Sequence, residues 1–256
     1  MREGFRPCIL PSADGKVEYA IVCGRYRLSR RKELLAEYFE ADLSDFDNWE
    51  PRYNIAPTQP VPVVREYSRE EPPRLSLLRW GLIPSWAKDP GIGAQTINAR
   101  SETVASKPSF RDPLRKQRCL VPADAFYEWK RASKGKQPYC FEVEDGAIFA
   151  FAGLWDQWQA SDGTLIETCT ILTTTPNELL ADVHNRMPVI LARDVYHAWL
   201  DPRIQDETAV IDMLRPFRAH LMRRFPVSPL VNRVANDGPE CSAAVDLPAT
   251  TDSLFV

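Results

Sequence analysis

The alternation of apolar and polar residues predicts a chain that mixes short strands with short helices. Strand character appears at residues 61–65 and 75–80, because these segments contain β-branched or alternating residues. The Pro-rich segment 51–62 must be extended or turned, because proline lacks an amide donor and fixes its own φ angle. Apolar residues at helical spacing predict a helix over about 29–40, with Ser29 as its N-cap.

The strongest strand pattern lies in the second half of the chain. Residues 139–144 and 147–154 flank Asp145-Gly146, a dipeptide suited to a type I′ hairpin turn, and 164–174 resumes the pattern. Helices are predicted to start at Thr175 and to cover about 193–200 and 207–217. Since these elements form no βαβ repeat, the expected fold class is α+β: a single domain with a curved, largely antiparallel β-sheet or barrel flanked by helices.

Composition limits the function classes that the chain can serve. Its 256 residues are 44% hydrophobic and 26% charged, which is typical of a globular protein. It has no apolar run long enough to span a membrane and no apolar core of a secretory signal near its start, so a cytoplasmic protein is expected. The six cysteines form no C-x-x-C pair and there are three histidines, so we expect reduced thiols and neither a metal nor a cofactor.

The charge balance leaves the question of nucleic-acid binding open. A formal net charge of -3 argues against an overall basic surface of the kind that neutralises phosphates. Basic residues nevertheless cluster in two places: Arg25, Arg27, Arg30 and Arg31, then Arg111, Arg115, Lys116 and Arg118. A solvated helix face and a DNA-binding groove both explain such clusters.

Six short passages concentrate reactive or recognition residues, and four of them also contain Gly or Pro. In chain order they are Cys23-Gly24-Arg25-Tyr26, Arg52-Tyr53-Asn54-Ile55-Ala56-Pro57, Trp80-Gly81-Leu82-Ile83-Pro84-Ser85-Trp86, Asn98-Ala99-Arg100-Ser101-Glu102-Thr103, Phe126-Tyr127-Glu128-Trp129-Lys130 and His184-Asn185-Arg186-Met187-Pro188. None is diagnostic alone, because cysteines and aromatic residues often serve only in cores. Together they resemble the SOS-response-associated peptidase (SRAP) family, which includes shields of abasic DNA sites, and the resemblance spans residues 23–236.

The resemblance implies that an N-terminal Cys23 reacts with the open aldehyde of an abasic sugar. Its amine would form a Schiff base, and its thiol would then close a thiazolidine ring. An α-amine, with an ordinary pKa of about 7.7–8.0, is substantially neutral near pH 7, whereas a lysine amine at about 10.4 is protonated. The family pattern makes Glu128 the general acid–base, His184 a proton-transfer group and Asn98 an orienting amide. Two structural alternatives stay open: Glu128 pairs with Lys130, or His184 caps the preceding helix.

The resemblance also implies a DNA-holding set and a partner. Arg25, Arg100 and Arg186 match family arginines suited to phosphate contacts. Asn54, Trp86 and Trp129 would line the groove, the tryptophans stacking on bases or packing in the core. The expected partner is single-stranded DNA containing abasic sites. The protein is expected to be a bacterial monomer that associates with the nucleoid when bound to damage.

One departure from the family pattern concerns the start of the chain. Cys23 follows Val22 instead of an initiator Met, so its nitrogen is a peptide amide in the chain as written. Three explanations compete: a start at Val22 through a GTG codon, self-cleavage before Cys23, or an uncleaved chain that only binds DNA. We therefore expect an appendage at 1–22, the SRAP domain at 23–240 and a tail at 241–256.

Two other functions remain open at this point. The first is a noncovalent module for single-stranded DNA, whose binding would ignore abasic sites. The second is a cysteine peptidase acting on other proteins, although the sequence has no recognisable Cys-His-Asn signature.

Overall fold

The computed structural model describes residues 24–247, apart from residues 45, 47, 69, 134 and 145. Cys23, the predicted appendage at 1–22 and the last part of the predicted tail lie outside the described residues. The first residues of that tail pack against the body, since Cys241 is buried and the Val245 amide donates to the Pro226 carbonyl at 3.0 Å. The division into appendage, domain and tail stays a prediction.

Thirteen strands and four α-helices make up the described fold. The strands are β1 (Tyr26–Leu28), β2 (Arg52–Ile55), β3 (Pro60–Arg65), β4 (Arg74–Trp80), β5 (Asn98–Arg100), β6 (Arg118–Ala123), β7 (Ala125–Arg131), β8 (Lys136–Val143), β9 (Phe149–Gln159), β10 (Leu165–Thr174), β11 (Met187–Pro188), β12 (Ile190–Leu191) and β13 (Met222–Pro226). The helices are α1 (Lys32–Phe39), α2 (Arg111–Lys116), α3 (Tyr196–Leu200) and α4 (Glu207–Asp212), with short 3-10 helices at Pro90–Gln95, Arg193–Val195, Ala219–Leu221, Pro229–Asn232 and Pro239–Ser242. None of the helices in this described part is long and apolar enough to cross a membrane.

Two sheets organise the strands. The first is antiparallel throughout, in the order β13-β8-β7-β1-β2. The second runs in the order β10-β4-β3-β6-β9. Its two end strands, β9 and β10, also pair with each other, so the five strands close into a barrel. The barrel is mixed, because β4 and β5 run parallel to β10. The predicted α+β class, a single domain with a curved, largely antiparallel barrel flanked by helices, is confirmed, and the described helices are few and short.

The two sheets share one apolar core. Tyr26 of the first sheet is fully enclosed and meets Trp80 and Phe151 of the barrel edge-on, at ring-centroid distances of 5.5 and 5.8 Å. Phe126 stacks on Phe141 at 5.1 Å and continues the same layer. Aromatic side chains bury large apolar areas, so these contacts fix the five-stranded sheet against the barrel.

The hairpin predicted at Asp145-Gly146 is wrong. β8 pairs with β7 and β13, whereas β9 pairs with β6, β10 and β12, so the chain leaves one sheet and enters the other. Glu144 and Gly146 have φ angles of 42° and 85°. These left-handed conformations redirect the chain, so that β8 and β9 pair with other strands and not with each other.

Three helix predictions also need correction. The segment after Thr175 forms turns instead of a helix, because the Asn177 side-chain oxygen accepts the Leu180 amide and its Nδ2 donates to the Phe217 carbonyl. Ser29 does not cap α1, which starts at Lys32. The Ser29 amide and hydroxyl bond instead to the Asp124 carboxylate, at 2.8 and 2.6 Å. The helix predicted at 207–217 is real but ends at Asp212.

Candidate functional site

Glu128 lies in the middle of β7 and is only 2% exposed. β1 runs antiparallel to β7, pairing Tyr26 with Phe126, and the Tyr127 amide donates to the Arg25 carbonyl at 3.0 Å. Continuing this register by two residues brings Gly24 opposite Glu128. The chain therefore enters β1 beside a buried carboxyl group.

Side chains of β7 alternate between the two faces of the five-stranded sheet. Phe126 belongs to the core shared with the barrel, whereas Tyr127 packs in a separate cluster with Cys140, Val231 and Cys241. Glu128 follows Phe126 by two residues and shares its face. We call this face, turned toward the barrel and the segment 178–186, the barrel face, and the opposite one the outer face.

An ion cluster ties the barrel face to the segment that carries His184. The Lys130 Nζ lies 2.6 Å from an Asp182 carboxylate oxygen, and Arg224 of β13 binds the same carboxylate through both terminal nitrogens. Arg224 also donates to the Leu179 carbonyl at 2.7 Å and lies over the Tyr139 ring at 5.5 Å. Hydrogen bonds from Arg224 and Lys130 lower the pKa of Asp182 below its ordinary value. The sequence did not reveal this cluster, which we call the Asp182 cluster.

His184 is half-buried at the end of this segment. Its amide donates to the Leu180 carbonyl at 2.9 Å, and its Nδ1 accepts the Arg186 amide at 3.1 Å. Burial lowers the pKa of His184, and the charges of Lys136 and Arg186 lower it further. The imidazole is therefore neutral near pH 7, and an accepting Nδ1 places the ring proton on Nε2. No helix precedes His184 in the described segment, so the helix-cap alternative does not apply.

Asn98 and Arg186 each donate to a backbone carbonyl of β10. Asn98 is half-buried, and its Nδ2 donates to the Ile171 carbonyl at 3.3 Å. Arg186 binds the Glu102 carboxylate through two nitrogens, at 2.5 and 2.9 Å, and donates to the Thr173 carbonyl at 2.7 Å. Although burial opposes ionisation, these bonds lower the pKa of Glu102 below its ordinary value. Sequence reasoning missed Glu102 as the partner that orients Arg186.

Arg100 presents the exposed end of β5. It pairs in register with Thr173 of β10, and its side chain is exposed to solvent. Its charge contributes to the lowered pKa of Glu102. Of the three arginines predicted to bind phosphate, Arg100 is the one that lies open to solvent.

Arg25 is held on the outer face of the sheet. One terminal nitrogen donates to the Asn54 side-chain oxygen at 2.9 Å and to the Val231 carbonyl at 2.6 Å, and the other donates to the Asn232 carbonyl at 3.2 Å. Its guanidinium lies 6.0 Å from the Trp129 ring centre, and the Trp129 Nε1 donates to the Asn232 side chain at 2.7 Å. Arg25 and Trp129 therefore both hold the segment 229–236.

Asn54 completes this outer-face network. It is 0% exposed, and its Nδ2 donates to the carbonyls of Val231, Arg233 and Asn236 at 3.1, 3.0 and 2.7 Å. The Asp237 carboxylate accepts the amides of Tyr53 and Asn54 at 2.7 and 2.6 Å. A side chain so enclosed lines no open groove in this structure, which differs from the DNA-contact prediction for Asn54. Sequence reasoning also missed Asp237, which has no recognisable motif around it.

Trp86, unlike the buried Asn54, is exposed to solvent. It is 57% exposed, on the loop that follows β4. The neighbouring Ser85 amide donates to the Asp156 carboxylate of β9 at 2.8 Å, so the barrel holds the loop in place. An exposed indole on a fixed loop can stack on a base.

The second basic cluster largely fits the solvated helix face, because Arg111, Arg115 and Lys116 are exposed on α2. Arg27 and Arg118 fit neither explanation. Arg27 is 8% exposed and binds Asp124 and Glu142 at 2.6 and 2.8 Å. Arg118 is 3% exposed and donates to backbone carbonyls, including those of Trp199 and Ile204. These two cations stabilise the fold from inside it.

The four cysteines in the described part of the chain are all buried free thiols: Cys119, Cys140, Cys169 and Cys241. Burial raises the pKa of Cys119 and of Cys140 to about 12. The thiolate is the nucleophilic form, so these thiols are poor nucleophiles near pH 7. The same described part contains no group of three or more His, Cys, Asp or Glu residues placed to hold a metal ion.

Comparison with known proteins gives a consistent set of relatives. The family model described as SOS response associated peptidase (SRAP) matches residues 22–234. Abasic site processing protein YoqW of Bacillus subtilis is 44% identical over 222 residues, covering 86% of this chain and 98% of that protein. Abasic site processing protein HMCES of Gallus gallus is 35% identical over 229 residues, covering 78% and 68%. A crystal structure of a Bacteroides thetaiotaomicron protein matches with a TM-score of 0.80 at 27% identity, covering 87% of this chain and 100% of that one.

Proposed function

Since the chain belongs to the SOS-response-associated peptidase family, we propose that it recognises abasic sites in single-stranded DNA and forms a covalent bond with them through Cys23. The relatives named as abasic site processing proteins support the choice of abasic sites as the lesion that this chain recognises. The structural observation that carries the proposal is the register of β1 with β7, which leads the residue after Cys23 to the buried Glu128.

The reaction needs a free amine and a thiol on one residue. The Cys23 α-amine adds to the aldehyde carbon of the open sugar, and the resulting carbinolamine loses water to give a Schiff base. The thiolate then adds to the same carbon while the nitrogen takes up a proton, which closes a thiazolidine. One water leaves in total. The described cysteines do not compete, because Cys119 and Cys140 are buried thiols with raised pKa values.

Three side chains have separate parts in this scheme. Glu128 donates a proton to the departing hydroxyl of the carbinolamine and takes one back from the attacking group. His184, neutral and carrying its proton on Nε2, donates a hydrogen bond to the sugar oxygen as the ring opens. Asn98, held near Ile171, orients the sugar or the amine through its amide.

DNA is held by groups outside this reacting set. Arg100 and Trp86 are exposed and suit a phosphate and a base respectively. Arg186 contacts a phosphate only after exchanging its Glu102 partner. We assign Arg25, Asn54 and Trp129 to anchoring the start of β1, because their polar atoms bond to the segment 229–236.

The Cys23 amine becomes free either by self-cleavage before Cys23 or by a start at Val22. A Schiff base also permits β-elimination, so an AP-lyase side activity is expected when ring closure fails. Hence Cys23→Ala with a free α-amine should nick abasic DNA more than it cross-links to it. The protein acts as a monomer on the nucleoid of a bacterium.

A denaturing gel with single-stranded DNA containing one abasic site tests the proposal. Protein begun at Met-Cys23 is compared with the full 256-residue chain, and Cys23→Ala serves as the control. We expect a heat-stable adduct from the short form, and from the full chain only if intact mass shows that residues 1–22 were removed. If neither form makes an adduct but both bind any single strand in a salt-sensitive way, the noncovalent module is the correct function. Casein digestion lost in Cys23→Ala would favour the peptidase.

A further inference from the structure

We infer that Asp182, held by Lys130 and Arg224, is a positioning residue that sets His184 over the barrel face next to Glu128. This inference rests on the proposed function for its catalytic consequence, but its structural part is independent of that function. Three elements meet at one carboxylate: β7 through Lys130, β13 through Arg224 and the turn segment through Asp182 itself.

The segment that carries His184 has little regular structure of its own. Residues 178–183 form turns, held by backbone bonds such as those from the His184 and Ala181 amides to the Leu180 and Asn177 carbonyls. Turns without sheet or helix partners hold a side chain less firmly than a strand does. A tertiary contact is therefore needed to fix His184 relative to β7.

The Asp182 cluster supplies that contact at the right place. Lys130 follows Glu128 by two residues, so both side chains leave β7 on the barrel face. Tyr139 lies directly opposite Glu128 on β8, and Arg224 covers its ring at 5.5 Å. Asp182 thus joins β7, the strand of Glu128, and β13, whose Arg224 covers the residue opposite Glu128, to a point two residues before His184.

The Asp182 cluster contains more hydrogen bonds than an ordinary surface ion pair. Isolated exposed pairs contribute little, but a carboxylate bound by two nitrogens of Arg224 and by Lys130 forms a network with fixed geometry. Arg224 also donates to the Leu179 carbonyl, which fixes the backbone of the same segment. Loss of the Asp182 carboxylate removes the contact with Lys130 and two of the three hydrogen bonds that Arg224 makes to the segment.

An NMR titration of the full 256-residue chain tests the structural part without DNA. The chain has three histidines, so the His184 signal can be assigned against His197 and His220. Charged groups facing His184 are Lys136 from β8 and Arg186 from its own segment. In Asp182→Ala we expect the His184 midpoint to rise toward the ordinary value of about 6.5, because a loosened segment rehydrates the ring. Unchanged His197 and His220 midpoints show that the fold is kept.

Glu71→Ala is the matched control, since Glu71 binds Arg74 at 2.7 Å in an exposed ion pair of the barrel. Its His184 midpoint should equal that of the unmodified protein. If Asp182→Ala does not fold, Asp182→Asn is titrated instead, and it should shift the midpoint in the same direction. An unchanged His184 midpoint in the folded Asp182 variant, or an equal shift in Glu71→Ala, overturns the inference.

A double-mutant cycle tests the catalytic part in the form of the protein that cross-links. At saturating abasic DNA, Asp182→Ala should slow adduct formation about tenfold. Its affinity for DNA with a tetrahydrofuran in place of the abasic sugar, which has no aldehyde, should stay within about twofold. Adding Asp182→Ala to His184→Ala should slow the reaction no further. If the rate losses of the two single variants multiply in the double variant, the positioning role is wrong. If the unmodified protein forms no adduct, the proposed function is contradicted, and the NMR titration alone tests the role of the Asp182 contact.

Discussion

The two faces of the five-stranded sheet use polar side chains in opposite ways. On the outer face, the Asn54 amide and the Arg25 guanidinium bond to backbone carbonyls of residues 231–236 and to each other. On the barrel face, Glu128 is buried, and the half-buried, neutral His184 lies on the segment that the Asp182 cluster ties to this face. Saturated hydrogen bonds make a face rigid, whereas a buried carboxyl group and a neutral imidazole can exchange protons. Under the proposed function, the outer face anchors the chain and the barrel face carries the reaction.

Glu128→Gln should give the largest effect, and it tests the barrel face. The amide keeps the size of the carboxyl group but cannot donate or accept a proton in the same way. We expect the cross-linking rate at saturating abasic DNA to fall about 100-fold, with unchanged affinity for tetrahydrofuran DNA. Single-turnover gel assays measure both quantities. A rate within twofold of the unmodified protein would remove Glu128 from the reaction.

Asn54→Ala tests the outer face. It removes an amide that makes three donated bonds and one accepted bond inside the protein. The free energy of unfolding should fall by about 2–4 kcal/mol, because carbonyls of the segment 231–236 and the Arg25 guanidinium lose buried partners. Urea unfolding measures the change. If stability is unchanged while DNA affinity falls, Asn54 is a DNA contact and the division between the faces fails.

Trp86→Ala should produce the smallest effect and concerns a third surface, the barrel loop. The indole is 57% exposed, so its loss should not alter stability. Loss of one stacked base should weaken binding of single-stranded tetrahydrofuran DNA by about 1 kcal/mol. Fluorescence anisotropy at fixed salt measures this, with Leu165→Ala as a control that removes another exposed apolar side chain, 55% exposed at the start of β10. Equal affinities for the two variants would rule out stacking by Trp86.

Local patterns predicted the strands better than their pairing. β-branched or alternating residues at 61–65, 75–80 and 164–174 correctly predicted β3, β4 and β10, since both patterns are properties of the strand itself. The hairpin failed because β8 and β9 choose partners far away in sequence, which no dipeptide can encode. The helix after Thr175 failed because the Asn177 side chain competes for backbone groups.

In the candidate site, too, contacts between residues far apart in the sequence could not be predicted. The passages around Asn98, Glu128 and His184 were identified from motif order. The Asp182 cluster was not, because Asp182 and Arg224 are 42 positions apart and neither lies in a motif that resembles the family's. Likewise, nothing local distinguishes Arg25, which bonds to carbonyls 206 and 207 positions away, from an arginine that binds phosphate. Long-range partners decide the role of an arginine, and they become visible only in the fold.

Mapping the bond by mass spectrometry tests the central claim most directly. Protein with a free Cys23 amine is reacted with single-stranded DNA carrying one abasic site, and the adduct is digested with nuclease and protease and sequenced. The account predicts a sugar remnant on the peptide that begins with Cys23, lighter by one water than its separate parts, with both the amine and the thiol of Cys23 blocked. A remnant on Lys130 or any other side chain, or on a Cys23 whose thiol still reacts with alkylating reagents, would contradict it.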